Sequence, residues 1–275
     1  MKTIGIIGGT GAMGKAFSVF FKKNGFKVIA SSRKTKLSNK ELIEKSDIVI
    51  YSLPIYSAEK IIKETAPFAK KGTILADFTS LKEKTVKAMK KNSNKEVEVL
   101  GIHPMFGPSV KNFENKLIVL CKGRGIKGLN FFEKLFKKNK VKVKIVSPEK
   151  HDKISAIIQA MIHINNLSLA KTFAASGFTV KELQSYSTPM FNFSLNSIGR
   201  MTAQNPEIYR DIAFKNLEVK KILKKYSESF NELNKIVLSK NEKKFDEMFK
   251  DLNNYFKPIS KKKLALTDKI ISEFF

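Results

Sequence analysis

The stretch that decides the fold is GIIGGTGAMGK, residues 5–15. It contains Gly9-x-Gly11-x-x-Gly14, directly after a short apolar run and directly before an apolar helical pattern. In this strand–turn–helix context the first glycine allows a tight turn, the second lets the backbone approach a pyrophosphate, and the third permits close packing of helix on strand. The helix N-terminus then offers its N–H groups to phosphates. The residues expected to contact a dinucleotide are Gly9, Thr10, Gly11, Ala12, Met13 and Gly14.

Strand and helix patterns alternate over the rest of the first half of the chain. Apolar strand candidates lie at residues 3–7, 27–30, 47–53, 73–77, 97–102, 117–121 and 141–146. Helical patterns separate most of them, and Ser38 with Glu41 has the spacing of a capping box at one helix start. This alternation predicts an α/β domain of the Rossmann type, with a doubly wound parallel sheet and helices on both faces.

The pattern changes near residue 148, beyond which helical periodicity replaces the strand signal. We therefore predict a dinucleotide-binding domain at residues 1–148 and an all-helical domain at residues 149–275. Residues 151–173 form one long and rather apolar helical pattern, which the remaining helices would not cover alone. A second subunit would cover it, so a homodimer formed through the helical domain is expected.

The residues at two further strand ends bear on cofactor choice. The second strand ends VIASSRK, so Ser31, Ser32 and Arg33 stand where an NAD-selective site has an acidic residue for the ribose hydroxyls. Two hydroxyls and a guanidinium suit a 2′-phosphate, so NADP is favoured and NAD stays open. Ser52, Leu53 and Pro54 close the third strand and are expected to form a wall of the nicotinamide-ribose site.

Two polar residues follow later strands at the edge of the sheet that carries the glycine loop. Ser80 lies just beyond one strand, in TSLK, and His103 lies at the end of the next, in HPMFGP. A neutral imidazole can take a proton from a hydroxyl, and a serine can orient the ring. The alternative is a hydrogen-bonded structural histidine. Convergence with the cofactor loop favours His103 as a general base and Ser80 as its orienting partner.

The composition limits the partners. The formal net charge is +27, which can indicate binding to nucleic acid. However, the chain has 48 lysines and four arginines, spread along its length rather than gathered in a stripe with aromatic residues. We expect a lysine-rich solvated surface, no nucleic acid, no membrane and no metal. Cys121 is the only cysteine and no signal-peptide pattern is present, so a cytoplasmic location is expected.

The segments HPMFGP, TSLK, HDKISAIIQAMIH and IGRMTAQNPEIYRDI, together with the glycine loop and in this order, resemble the prephenate dehydrogenase family. The resemblance runs over nearly the whole chain. It implies a nucleotide-binding domain followed by a helical substrate-binding and dimerisation domain. It also implies the oxidative decarboxylation of prephenate to 4-hydroxyphenylpyruvate in tyrosine biosynthesis, with hydride transfer to NAD(P).

The resemblance implies roles for individual residues. The catalytic histidine matches His103, and the serine that contacts substrate and histidine matches Ser80. The arginine that holds a substrate carboxylate matches Arg200, with Arg210 the next candidate, and a second histidine near the substrate matches His163. The other residues that the resemblance singles out are His151, expected only to pack or cap at a helix start, and Asn192, where some relatives have an arginine.

Three other functions stay open. Arogenate dehydrogenase uses the same ring chemistry on a substrate with a different side chain, and the residues above do not discriminate between the two substrates. A β-hydroxyacid or NADP–deazaflavin dehydrogenase would share the glycine loop but would not explain HPMFGP. A basic nucleic-acid-binding protein is the non-enzyme alternative, motivated by the net charge alone.

Overall fold

The fold comes from a computed structural model that describes residues 1–274. Two compact units are present, which we name the sheet unit and the helical unit. The sheet unit comprises residues 1–158 and 207–217, and the helical unit comprises residues 159–206 and the chain from residue 218 onward. The sheet unit thus continues past the boundary predicted at residue 148. The reason is visible at Asp152, whose carboxylate accepts the backbone N–H groups of Lys82 and Glu83 within this unit.

The sheet unit is built on one seven-stranded sheet with the order β2-β1-β3-β4-β5-β6-β7. The strands are β1 (Thr3–Ile7), β2 (Lys27–Ser31), β3 (Ile48–Tyr51), β4 (Ile74–Asp77), β5 (Glu98–Pro104), β6 (Leu117–Arg124) and β7 (Lys142–Val146). All neighbours are parallel except β5 and β6. The predicted fold class is confirmed, but β6 departs from it. Residues 105–116 contain no helix, and a return without a crossover helix favours antiparallel pairing.

Thirteen helices accompany the strands within residues 1–274. They are α1 (Ala12–Lys23), α2 (Asn39–Glu44), α3 (Ile55–Thr65), α4 (Glu83–Asn92), α5 (Lys127–Lys138), α6 (Pro148–Ser155), α7 (Ile162–Ala174), α8 (Val180–Ser185), α9 (Pro189–Thr202), α10 (Pro206–Lys215), α11 (Val219–Leu238), α12 (Glu242–Phe256) and α13 (Ser260–Phe274). A short 3-10 turn at Ala66–Phe68 follows α3. The capping box predicted at Ser38 and Glu41 is confirmed at the start of α2.

Apolar side chains cover both faces of the sheet. All four residues of β3 are buried, which is typical of a central parallel strand covered on both sides. One cluster joins Phe17 and Phe21 of α1 to Phe132 and Phe136 of α5, and a second is built around α2, α3 and α4. The two clusters hold the carboxyl ends of β1, β3, β4 and β5 at one edge, where the predicted site residues of the sheet unit lie.

The long apolar pattern predicted at residues 151–173 begins in the sheet unit and continues into the helical unit. The chain is helical there as α6, a π-helical segment at Ala156–Met161, and α7. In α7 only Asn166 is buried, whereas Ile162 and Leu167 are exposed. Further along the chain, α11 and α12 are amphipathic helices. No helix within residues 1–274 combines the length and apolar character needed to cross a membrane.

Candidate active site

The glycine loop joins β1 to α1, as the sequence predicts, but a different glycine makes the turn. Gly8, and not Gly9, has a positive φ of 80°, and a side chain there would collide with the backbone oxygen of Ser52. A Cβ on Gly9 would lie 2.6 Å from the Cβ of Ala30, and one on Gly14 would lie 2.7 Å from the Cα of Gly9. These glycines therefore permit close packing of β1, β2 and α1.

The start of α1 fits a phosphate group. Its N-cap is Gly11, which makes no side-chain hydrogen bond, and the first turn has no acidic residue. Thr10, Gly11 and Ala12 are exposed, whereas Met13 is half-buried and packs against the core. Exposed N–H groups at a helix N-terminus, with no carboxylate competing for them, attract an anion. The site thus fits the pyrophosphate of a dinucleotide.

The loop after β2 separates the three residues assigned to the 2′-phosphate. Ser31 is fully buried, and its hydroxyl donates to Oδ1 of Asn39 at 2.7 Å. Ser31 therefore positions the loop and is not available to a phosphate, contrary to our expectation. Ser32 is half-buried and its Oγ accepts the N–H of Lys34, while the side chain of Arg33 is exposed. Ser32 and Arg33 remain candidates for contact with the nucleotide.

The residues after β3 lie beside the glycine turn. The N–H of Ser52 donates to the backbone oxygen of Ile7 at 2.8 Å, and its own carbonyl lies against Gly8. Ser52 and Leu53 are half-buried, and Pro54 is the exposed N-cap of α3. Their predicted position next to the cofactor loop is therefore supported by the backbone geometry of β1 and β3.

His103 lies at the end of β5 and is only 3% exposed. Its Nδ1 is 2.8 Å from Nε2 of His151, and Nδ1 of His151 is 2.7 Å from Oδ1 of Asp152. Burial lowers the pKa of His103 well below its ordinary value, and the neighbouring His151 and Lys82 lower it further. The ring is therefore neutral at physiological pH, which is the state that a general base requires.

This contact changes the roles assigned to Ser80 and His151. Within residues 1–274 no hydrogen bond joins Ser80 to His103, and Nδ1 of His103 is occupied by His151. Ser80 is half-buried beyond β4, where its hydroxyl can face a ligand. His151, which we expected only to pack or cap at a helix start, is instead the residue that contacts the candidate base.

Asp152 connects the histidine pair to the start of α4. Oδ1 accepts the N–H of Lys82 at 2.8 Å and Oδ2 accepts the N–H of Glu83 at 3.0 Å. The side chain of Lys82, the N-cap residue of α4, makes no capping hydrogen bond. The Asp152 carboxylate thus caps α4 from a distance, and the positive end of the helix stabilises its charge.

A fully buried ion pair lies beneath the site. Nζ of Lys82 donates to Oδ2 of Asp77 and, at 3.2 Å, to the backbone oxygen of Ile102. Thr79 and Thr85 donate to the same carboxylate oxygen. These contacts join the ends of β4 and β5, and therefore fix the backbone that carries His103. No ligand role for Lys82 follows, because its amine is enclosed.

The helical unit carries two more predicted residues. Arg200 lies on α9 and is exposed, and its side chain makes no ion pair or hydrogen bond with another residue in the described part of the chain. It is therefore available to an external carboxylate. His163 lies on α7, is half-buried, and has its pKa lowered by burial. Asn192 lies earlier on α9.

Two other arginines, Arg210 and Arg124, are engaged with the protein. Arg210 lies on α10 of the sheet unit, 3.7 Å from Glu207 and 3.8 Å from Asp211. Arg124 on β6 donates to the backbone oxygens of Val97 and Asn94, at 2.7 and 2.6 Å. Arg210 is thus a weaker candidate than Arg200 for holding a substrate carboxylate.

Comparison with known proteins decides the family. A sequence profile described as "Prephenate dehydrogenase, nucleotide-binding domain" matches residues 25–145, and one described as "Prephenate dehydrogenase, dimerization domain" matches residues 147–251. The chain belongs to the prephenate dehydrogenase family. The two family profiles meet near the start of α6, close to the predicted boundary.

Individual relatives and structures agree with this membership. A "Probable arogenate/prephenate dehydrogenase" from Methanocaldococcus jannaschii is 34% identical over 98% of this chain and 64% of its own length. "Prephenate dehydrogenase [NADP(+)]" from Saccharomyces cerevisiae is 27% identical over 88% of this chain and 57% of its own length. A crystal structure of prephenate dehydrogenase from A. aeolicus, with hydroxyphenyl propionate and NAD+, matches with a TM-score of 0.73 at 22% identity, over 97% of this chain and 98% of that chain. The chain spans about three-fifths of the length of the curated relatives it matches.

Two contacts near the candidate base were not predicted from the sequence. The contact of His151 with His103 joins residues 48 positions apart, and no local pattern predicts it. The scarcity of histidine was the available signal, since the chain has three and all lie in family segments. Asp152 was not predicted either, because its role also depends on a contact between distant residues. The available signal was the pair His151-Asp152 at a helix start, which places a carboxylate next to an imidazole.

Proposed function

We propose that the chain is an NAD(P)-dependent prephenate dehydrogenase that oxidises and decarboxylates prephenate to 4-hydroxyphenylpyruvate in tyrosine biosynthesis. The observation that carries this proposal is the neutral, buried His103 at the sheet edge that also holds the glycine loop. Membership of the family supports the reaction class. A bound nicotinamide would supply the hydride acceptor.

The residues of the chain supply binding and proton removal. Prephenate is a dianion, so the net charge of +27 attracts it, and the exposed Arg200 can hold one carboxylate through two parallel hydrogen bonds. His103 takes the proton of the ring hydroxyl at Nε2, because Nδ1 is bonded to His151. Ser80 and His163 are the further candidates for contact with the substrate. Loss of CO2 makes the ring aromatic, so the enzyme's main tasks are alignment and proton removal.

For the cofactor we propose NADP, with NAD as the alternative. The exposed guanidinium of Arg33 and the Ser32 hydroxyl stand where an acidic residue would select NAD. The yeast relative is named for NADP(+), whereas the A. aeolicus structure contains NAD+. The phosphate end of either cofactor fits the start of α1, so the choice depends on the loop after β2.

Arogenate is the second candidate substrate. The M. jannaschii relative is named for both substrates, and the ring chemistry assigned to His103 is the same for each. The test uses the purified chain, with the reduction of NADP and of NAD measured for prephenate and for arogenate. Turnover of prephenate with either cofactor supports the proposal. Turnover of arogenate alone would select the alternative, and the absence of both reactions would contradict the proposed function.

We further propose that the chain acts as a homodimer in the cytoplasm. The matching profile is named for dimerisation, and apolar residues of the helical unit are exposed in the single chain, including Phe230 and Phe249. Such a surface is typical of a subunit interface. Sedimentation at micromolar concentration should give twice the chain mass of 31.1 kDa. A monomer at that concentration would contradict the interface.

A further inference from the structure

We propose that His151 and Asp152 are positioning residues that form a proton relay with His103, so that a proton taken at His103 comes to rest on His151 beside the Asp152 carboxylate. The proposal rests on the proposed function for the identity of the proton donor. The arrangement of hydrogens on the two histidines is independent of the proposed function, because it is a property of the protein alone. The three residues are between 3% and 6% exposed, so they are largely shielded from solvent.

The hydrogen-bond distances permit one arrangement that leaves His103 able to accept a proton from a ligand. The Asp152 carboxylate can only accept, so Nδ1 of His151 donates to it. A neutral His151 then has its lone pair at Nε2, which must accept from Nδ1–H of His103. The lone pair of His103 is consequently at Nε2. The carboxylate thus sets the tautomer of a ring with which it has no contact.

The same geometry accommodates the product of proton transfer without movement of heavy atoms. When Nε2 of His103 gains the substrate's proton, its Nδ1 proton can pass along the 2.8 Å bond to Nε2 of His151. His103 is then neutral again, with its hydrogen at Nε2, and His151 is an imidazolium that donates to both His103 and Asp152. One proton has entered and one positive charge has appeared, adjacent to a carboxylate.

Asp152 is held for this role by the protein backbone. Its two oxygens accept the N–H groups of Lys82 and Glu83, and Asn216 donates to its backbone oxygen at 2.9 Å. These bonds fix the position of the carboxylate, and the N-terminus of α4 places partial positive charge beside it. A buried carboxylate without such partners would be strongly disfavoured.

Other titratable groups surround the relay. Lys82 and Asp77 form the buried ion pair at the ends of α4 and β4, Cys121 lies on the adjacent strand β6, and Glu149 lies on α6 with His151. Burial raises the pKa of the Cys121 thiol to about 12, so it stays neutral. Within residues 1–274 none of these four groups makes a hydrogen bond to a relay histidine, and the carboxylate that does so is that of Asp152.

The first test needs no activity. The chain has three histidines, so selective ¹⁵N labelling gives three imidazole signal sets, and a His163→Asn variant identifies the third. Near neutral pH we expect both His103 and His151 to carry hydrogen at Nδ1. A His103 ring with its hydrogen at Nε2 would overturn the relay, whether or not the protein oxidises prephenate. An inactive protein with the expected tautomers would contradict the proposed function only.

The second test is the pH profile of turnover. Asp152→Asn removes the charge that stabilises the protonated relay, so the acid limb should move to lower pH by about 1 unit, the usual effect of losing a nearby opposite charge. His151→Phe keeps an aromatic ring and removes both hydrogen bonds, and turnover should fall about tenfold to a hundredfold. Cofactor binding, measured by titration of fluorescence, should not change.

The matched control is Asp47→Asn, because Asp47 also accepts a backbone N–H, from Thr3 at 2.7 Å, but has no histidine partner. It should leave the pH limb and turnover unchanged. If His151→Phe stays folded, with turnover within about twofold of the wild type and the same acid limb, the relay is wrong. If that variant does not fold, the tautomers of the wild type and the Asp152→Asn profile decide the question.

Discussion

The Asp152 carboxylate accepts the backbone N–H of Lys82, 70 residues earlier in the chain, at 2.8 Å. The same carboxylate accepts from His151, which contacts His103. One side chain therefore completes the first turn of α4 and orients the candidate base. Folding of this corner and the proposed chemistry depend on a common group, and the predictions below separate the two contributions.

Asp152→Ala should lower stability as well as activity. It removes the cap of α4 and leaves an N–H of His151 without an acceptor, so we expect a loss of about 2 kcal/mol in the free energy of unfolding. Urea denaturation measures this loss. Ser38→Ala is the control, since Ser38 caps α2 without contact to a histidine. It should reduce stability by about 1 kcal/mol and leave turnover intact. Equal stability of Asp152→Ala and wild type would exclude the capping role.

His103→Asn should reduce turnover at least about a hundredfold, while the protein stays folded and still binds nicotinamide cofactor. The wild-type rate should rise with pH through one ionisation below about 6.5, because burial lowers the pKa of His103. That limb should disappear in the variant. Retention of most activity and of the same limb would indicate a structural histidine, and the base would then be sought at His163.

Stability should decrease on acidification below about pH 6.5. The pKa of His103 is depressed by burial, so the unfolded chain binds a proton that the folded chain does not, and the free energy of unfolding falls until pH reaches the folded-state pKa. His163 contributes with the same sign. Urea titrations at about pH 7.5 and about pH 5.5 measure the difference, which should be smaller in His103→Asn. An equal difference in both proteins would contradict the assignment to His103.

Arg33→Ala should weaken the binding of NADP and leave the binding of NAD nearly unchanged. The KM for NADP should rise, and the rise should correspond to a lost binding free energy of up to about 1.5–3 kcal/mol, the value of charged hydrogen bonds to a 2′-phosphate. Lys36→Ala, at an exposed position of the same loop, is the control and should have little effect. A wild-type preference for NAD of about tenfold or more would refute the 2′-phosphate site.

Arg200→Lys keeps the charge but loses the planar fork, so the KM for substrate should rise about tenfold, or about 1.4 kcal/mol, with cofactor affinity unchanged. Arg210→Lys is the matched comparison, because Arg210 lies near Glu207 and Asp211. Normal kinetics of Arg200→Lys with impaired Arg210→Lys would assign the carboxylate contact to Arg210.

The alternation of strands and helices and the position of the glycine loop could be predicted from the sequence, because both depend on local patterns that have a direct physical cause. The sequence was less informative within that loop. Gly8 and Gly9 are adjacent, and composition alone does not reveal which of them adopts the positive φ. The buried position of Ser31 was likewise hidden, since it depends on Asn39 from the next helix.

The features that could not be predicted depend on distant contacts. The antiparallel direction of β6 follows from the irregular course of residues 105–116, which has no periodic pattern. The partner of His103 was sought at Ser80, near in sequence, whereas the contact comes from α6. Long-range pairs of this kind are fixed by the packing of complete elements, and a single sequence carries little information about them.

Lys82 is the one buried lysine in residues 1–274, and every other lysine amine described is exposed or half-buried. An amine-acylating reagent should therefore modify the surface readily and reach Lys82 only when the ends of β4 and β5 separate. Pulsed acylation followed by peptide mass spectrometry would report that separation at a single position. The buried ion pair thus makes Lys82 an internal reporter of transient opening around His103.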